Sequence, residues 1–376
     1  MIKRLPSVVQ CPEVAMLCWC VSRGARAGVS APPDVDSTFD WDRLLAEAHA
    51  HGVTELLLAP LERRSRTARA VPAPILEFLQ SRQFGTTGLN LNRVTQVVSV
   101  LGLLSANGIR ALTYKGPTLA AGVHGNLGQR LSNDLDILVD RKRVARVREL
   151  LLADGYVLPP RVQRRVGSLL HGLLPGVGRE DTLLPGQPWQ TSVDVHVAFA
   201  FWMMGMRLDT NALFDRSVTV EVAGHPVQTL SPGDLLLVLA IHGMMHGWAV
   251  LRFVSDIEAV AAQVTDWDAV FAHARSARML RPLRVALLLA GDLLCAQVPS
   301  TILDLSARDS GAVDIARGVA SRLFSATPHS TEPGHRGPWF LAFQERPTDR
   351  LRFHVRTLAY EWLLKWPWDA WLGRRA

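Results

Sequence analysis

Asp134 and Asp136 stand one residue apart in the run Asn133-Asp134-Leu135-Asp136-Ile137-Leu138-Val139. The run alternates and is rich in β-formers, so it predicts a strand over Leu131–Val139, where residues i and i+2 share a face. Two carboxylates side by side repel unless a cation sits between them. Hard oxygen donors of this kind suit Mg²⁺ or Mn²⁺, ions that also take substrate phosphates as ligands. A bare Asp-x-Asp is equally the solvent-facing end of an ordinary strand, so its neighbours decide. Upstream, Thr113-Tyr114-Lys115-Gly116-Pro117 reads as a strand-to-helix turn, where amide groups and the Lys115 charge favour a phosphate. Downstream, Ser192-Val193-Asp194-Val195-His196 places a third carboxylate on another alternating strand. This order fits a two-metal phosphoryl-transfer site. Asp134 and Asp136 would bind the metals; Asp194 would bind one and orient or deprotonate an attacking hydroxyl.

These residues need a small sheet to hold them. Strands are expected at Ile109–Tyr114, Tyr156–Leu158 and Ser192–Phe199, with a hairpin over Val218–Thr229 turning at Ala223-Gly224-His225. Helices are expected over Cys11–Gly24, Asp40–Gly52, Pro72–Asn107 with a break near Gly85, Pro117–His124 and Arg141–Asp154. Pro159–Gln190 is rich in loop formers. From Ser231-Pro232-Gly233-Asp234, a capping signal, the pattern is helical. It runs through Leu235–His246, Leu251–Val264, Trp267–Arg275, Pro282–Cys295, Ile302–Phe324 and, after a loop over Ala326–Asp349, Arg350–Trp371. Asp40-Trp41-Asp42 and Asp266-Trp267-Asp268 read as one good helix start used twice, with carboxylates at the positive end. The implied class is α+β. Residues 1–107 form an N-terminal helical region, 108–230 a catalytic core, 231–325 a helical domain and 326–376 a loop and final helix.

Composition narrows the classes. Of 376 residues, 48% are hydrophobic and 20% charged, which excludes a disordered or fibrous chain. No uninterrupted apolar run reaches the roughly 18 residues of a membrane span. Met1–Arg4 is basic and Val14–Val21 apolar, but Gln10, Pro12 and Glu13 interrupt any signal-peptide pattern. Four cysteines make no disulfide framework, so a reducing cytoplasm is expected. The net charge of +7 fits a phosphate-bearing ligand. Arg141, Lys142, Arg143, Arg146 and Arg148 read as the solvated face of a helix, so nucleic acid is not the expected partner.

Taken together, Lys115-Gly116, Arg130-x-Ser132-x-Asp134-x-Asp136 and Val193-Asp194-Val195-His196 resemble the DNA polymerase β-like nucleotidyltransferase superfamily. Asp234-Leu235-Leu236, His242 and His246 before Gly247-Trp248, and Leu251-Arg252-Phe253 with Asp256-Ile257 extend the likeness to its bacterial group of uncharacterised nucleotidyltransferases. The resemblance covers about Asp40–Pro299. It implies a polymerase β-like core with a small mixed sheet, and Mg²⁺- or Mn²⁺-dependent transfer from a nucleoside triphosphate to a hydroxyl or phosphate acceptor. The resemblance leaves the acceptor open among a small molecule, a peptide and a protein side chain; members of the group occur near genes for lasso peptides. Glycosyl transfer from a nucleotide-sugar on the same fold, and a non-catalytic antitoxin-like module, are the alternatives. The superfamily usually carries Gly-Ser or Gly-Gly where this chain has Lys115-Gly116, so Lys115 or Ser132 would replace the phosphate-contacting serine. Arg130 would reach a triphosphate or pair with a nearby acid. His196, His242, His246 and Asp256 are candidate substrate-facing residues; the two histidines at i and i+4 could bind zinc with Asp256, or simply pack. Trp362, Trp366, Trp368 and Trp371 read as packing residues rather than a membrane anchor.

Overall fold

The alternating segments at the centre of the chain pair into one small sheet. The computed structural model describes residues 11–28, 30–67, 71–159, 180–200, 202–325 and 336–365. In it, β1 (Ala111–Thr113), β2 (Leu135–Val139), β3 (Glu180–Leu183) and β4 (Val193–His196) lie in the order β1-β2-β4-β3. β1 is antiparallel to β2, β2 parallel to β4, and β3 antiparallel to β4. A parallel pair needs a crossover, and the Val144–Ala153 helix lies within it. The expected hairpin forms as β5 (Val218–Val222) and β6 (His225–Thr229), with positive φ at Ala223 and Gly224. The chain is α+β, mostly helical around this mixed sheet.

Period two splits β2 between two apolar layers. Leu135, Ile137 and Val139 pack with Val94, Val97 and Val100 of the Ala73–Ala106 helix. Leu138 joins Leu112 and Tyr114 in a larger cluster, built from the helices Pro12–Val21, Pro232–Met245, Leu251–Ala261 and Leu280–Leu294. Each fully buried Leu or Val there contributes about 1.5–3 kcal/mol. Asp136 alternates with Ile137 and so shares the face of Leu138, between the sheet and the helical layer.

Several elements differ from expectation. Ala73–Ala106 runs unbroken for 34 residues. Gly85 costs about 1 kcal/mol of helix propensity, but tertiary anchors beside it hold the helix. Thr86 Oγ1 donates to Glu55, and Asn90 Nδ2 donates to the carbonyls of Leu127 and Arg130. Ile302–Phe324 is two helices, Ser300–Ala307 and Ser310–Leu323. Asp309 separates them by accepting from Ala312 N while binding Arg281 and Arg284. The loop expected over 326–349 contains the helix Arg336–Ala342, pinned by Trp339 Nε1 donating to Met244 O at 2.9 Å; residues 326–335 lie outside the described residues. Tyr156–Leu158 contributes only one bridge, Val157 to Leu184. β3 and the Leu58–Thr67 helix were not anticipated. Both Asp-Trp-Asp starts cap helices: Asp40 accepts from Arg43 N and Asp266 from Ala269 N. The last helix spans Pro347–Lys365; Met1–Arg4, Trp366, Trp368 and Trp371 lie outside the described residues. Among those described, no helix is long and apolar enough to cross a membrane.

Candidate functional site

The sheet face bearing Asp136 opens into a cleft of about 370 Å³. Lys115, Ser132, Asp134, Asp136, Asp194 and His196 line it from the sheet side; His242, His246 and Arg252 close it from the helices. Parallel pairing sets Asp136 directly opposite Asp194. All three sequence-identified carboxylates therefore meet in one place. They are not equivalent. The strand begins at Leu135 rather than Leu131, so Asp134 lies at its mouth, half-buried, while Asp136 is only 2% exposed.

Asp136 is the centre of a charged network. Lys115 Nζ donates to its Oδ1 at 3.0 Å, and His196 Nε2 donates to the same oxygen at 2.9 Å. The other oxygen, Oδ2, is buried with no hydrogen-bond partner among the described residues. Burial opposes ionisation of Asp136, but Lys115 and His196 override it and hold the carboxyl well below the usual range. Asp134 goes the other way: burial, then the Asp136 charge, raises it. Asp194 is also raised, by burial and by Asp136 and Glu180, against a 2.6 Å hydrogen bond donated by Thr182 Oγ1. Lys115 thus rests on a carboxylate, where the sequence suggested an ammonium awaiting phosphate. His196, expected as a substrate-facing residue, belongs to the acid cluster itself.

The turn before the seven-residue helix Gly116–Gly122 depends on its glycine. Gly116 has φ +60°, and a Cβ there would lie 3.4 Å from the Asp134 carbonyl oxygen and 3.7 Å from Ser132 Oγ. Ser132 Oγ is buried with no partner among the described residues. Arg130 is committed on two nitrogens: Nε donates to Asp256 Oδ1 at 2.9 Å and Nη2 to Oδ2 at 3.0 Å. His124 Nε2 lies 3.0 Å from the same Asp256. Burial works against the Asp256 charge, yet Arg130 and His124 keep its carboxyl well below the usual range. Asp256 is not among the residues lining the cleft; it holds Arg130, which is. Nor does it join His242 and His246. Their rings pack 4.4 Å apart and against Phe253. Burial, with Lys115 nearby, pushes His242 well below the usual histidine range, which keeps it neutral.

Three residues near the carboxylates escaped the sequence reading. Arg252 lines the cleft, and its buried Nε has no hydrogen-bond partner among the described residues. Arg93, from the long helix, lies near enough to feel the Asp134 charge and has two such nitrogens, Nε and Nη1. Burial lowers both guanidinium groups. Glu180, from β3, completes the rim. Arg252 sits inside a motif already noted, but only tertiary packing brings Arg93 and Glu180 to the carboxylates.

Asp136, Asp194 and His196 offer ligand atoms that all lie within 4.8 Å of one another. Ligands about 2.0–2.2 Å from a shared ion stand at most about 4.4 Å apart, so a slight closure would complete the set. The unpaired Asp136 Oδ2 is the kind of lone pair a cation satisfies. The residues present therefore fit a divalent ion. No curated protein matches the chain significantly. The sequence model of a family described as uncharacterised nucleotidyltransferase matches residues 37–294, a span that holds every cleft residue named above. That span is well over half of the 376 residues, and the chain belongs to this nucleotidyltransferase family.

Proposed function

We propose that this chain is a metal-dependent nucleotidyltransferase on a polymerase β-like core, moving a nucleotidyl group from a nucleoside triphosphate to a hydroxyl or phosphate acceptor. The observation that carries the reading is the in-register pairing of Asp136 with Asp194 across a cleft that also holds Asp134 and Lys115. Membership of a nucleotidyltransferase family supports it. On this reading residues 108–230 form the catalytic core, 231–325 its helical cover, 1–107 the N-terminal helical region and 326–376 the closing segment.

Asp134, Asp136 and Asp194 would hold Mg²⁺ or Mn²⁺. The ion would polarise the α-phosphate and stabilise charge that builds on it during transfer. Arg252 and Arg93, whose buried nitrogens lack partners among the described residues, would take triphosphate oxygens. Lys115 would leave Asp136 as the site fills and carry its ammonium to a phosphate. Asp194, directly opposite Asp136 on the next strand, would orient the acceptor hydroxyl and take its proton. The acceptor oxygen then bonds to the α-phosphorus, the bond from that phosphorus to the β-phosphate bridging oxygen breaks, and pyrophosphate leaves. A hydroxyl or phosphate on a ribosomally made, lasso-type peptide is the first acceptor class to test.

The test is mass spectrometry of acceptor peptides and small molecules incubated with the protein, the four nucleoside triphosphates, nucleotide-sugars and Mg²⁺ or Mn²⁺. An added nucleoside monophosphate is expected. A hexose adduct would replace the reading with glycosyl transfer. A protein that neither forms adducts nor binds any nucleotide would be a binding module.

A further inference from the structure

His196 and Glu180 give this cleft a nitrogen donor that an all-carboxylate site lacks. His196 Nε2 is 2.9 Å from Asp136 Oδ1 and belongs to the same donor group as Asp194. The ring is buried, at 5% exposure, and held between neighbours. Tyr114 meets it edge-on at 5.6 Å and Phe199 stacks at 6.4 Å, which fixes its plane. Its other nitrogen, Nδ1, makes no hydrogen bond but points at Glu180 Oε2, 3.4 Å away. A metal-bound histidine commonly donates its remote N–H to a carboxylate, which selects the tautomer and raises the basicity of the ligating nitrogen. Glu180 stands where that carboxylate is needed. With the proton on Nε2 the ring donates to Asp136 Oδ1. With the proton on Nδ1, towards Glu180, Nε2 has a free lone pair 2.9 Å from Asp136 Oδ1 and within 4.8 Å of the Asp194 ligand atom.

We infer that His196 Nε2 is a metal ligand beside Asp136 and Asp194, oriented by Glu180, and that it makes the site prefer Mn²⁺ to Mg²⁺. Mg²⁺ demands oxygen and gives up its waters reluctantly, whereas imidazole suits the later divalent ions. Mn²⁺ accepts both donor types. This inference rests on the metal-dependent reading above and deepens it by naming the ligand that selects the ion.

The probe is Mn²⁺ alone, added to the full chain without nucleotide. Loss of the free-ion electron paramagnetic resonance signal gives the affinity, and competition with Mg²⁺ gives the preference. Pulsed measurement on the bound ion shows whether a nitrogen is directly coordinated. The parent protein should show nitrogen modulation and bind Mn²⁺ more tightly than Mg²⁺. His196→Gln keeps an oxygen donor in a similar volume; it should lose the modulation and most of the preference. Glu180→Gln should keep the modulation but weaken Mn²⁺ binding by about tenfold, the lower end for losing such a partner. Bound Mn²⁺ without nitrogen modulation in the parent overturns the inference even if His196→Gln fails to fold. Modulation that survives in a folded His196→Gln overturns it as well. Either result leaves the nucleotidyl-transfer reading standing. No Mn²⁺ binding at all would remove both the inference and the metal dependence on which it rests.

Discussion

Replacing Lys115 with Met removes one ammonium from a buried pair and little volume. The contact is 3.0 Å long, with the two side chains 11% and 3% exposed, so solvent screens it weakly. Breaking a buried pair by removing one partner costs about 3–5 kcal/mol, because the surviving charge is left uncompensated. His196 still donates to the same oxygen, which places the expected loss near the lower end, about 3 kcal/mol. The pH dependence has a definite sign. The Asp136 carboxyl is depressed in the folded protein, so its contribution to stability is present above the unfolded value, about pH 4, and fades as pH falls through the lower folded value. Without Lys115 that contribution shrinks. The gap between Lys115→Met and parent should be widest at neutral pH and close in acid. Mn²⁺ should narrow the gap at pH 7, since a cation at Asp136 replaces the missing charge. Urea unfolding at pH 7 and at about pH 2, below the unfolded carboxyl value, with and without Mn²⁺, reads all of this. Equal stability of the two proteins at pH 7 would refute the assignment of Lys115 as the partner of an ionised Asp136.

Asp194→Asn should leave triphosphate affinity nearly unchanged and cut single-turnover transfer by at least about a hundredfold, the low end for losing a positioned base; full transfer by the variant would remove Asp194 from the mechanism. Arg252→Met should weaken triphosphate binding by about 1–3 kcal/mol, the range for a charge-assisted hydrogen bond, while Mn²⁺ affinity measured without nucleotide stays put. Calorimetry with each ligand separately checks this, and unchanged triphosphate affinity would place Arg252 outside the phosphate site. Asp256→Asn leaves Arg130 buried without its carboxylate and should lower stability by about 3–5 kcal/mol in denaturant titration, a loss that a surface-like role for Asp256 would not produce.

The strand carrying Asp136 was legible because two signals coincide there: a period of two and acids at i and i+2. The same alternation identified Asp194, although it could not give the register that sets the two side by side. That register depends on a parallel crossover, which local pattern does not encode. His196 was placed correctly on the strand face, but its bond to Asp136 runs between neighbouring strands, and spacing along one strand says nothing about that distance. Lys115 was found through its turn, and its partner was missed for the same reason. Asp256 was grouped with His242 and His246 by nearness in sequence, whereas helix rotation and packing turn it towards Arg130. The long Ala73–Ala106 helix shows the converse. Gly85 signals a break locally, and Glu55, Leu127 and Arg130, all remote in sequence, outweigh it through Thr86 and Asn90.

The buried ion pairs outside the cleft explain how a helix can serve a site built on a sheet. Leu251–Ala261 begins with the Arg252 that closes the cleft, and it is tied down on two sides. Asp256 grips Arg130, which lies just before the strand carrying Asp136, and Glu258 accepts from Arg23 N and from Arg26 in the N-terminal helices. Such pairs add little net stability, since removing two charges from water costs about what their attraction returns. Their geometry is the useful part. A bidentate guanidinium and carboxylate at 2.9 and 3.0 Å define both distance and rotation, which an apolar contact would leave free to slide. The rotation that turns Asp256 inward on this helix also sets where Arg252, one turn earlier, meets the cleft. Arg252 is therefore held near Asp134 with no salt bridge of its own among the described residues. On the reading proposed above, a guanidinium positioned by a distant brace, its Nε without a hydrogen-bond partner among the described residues, is preorganised for a phosphate.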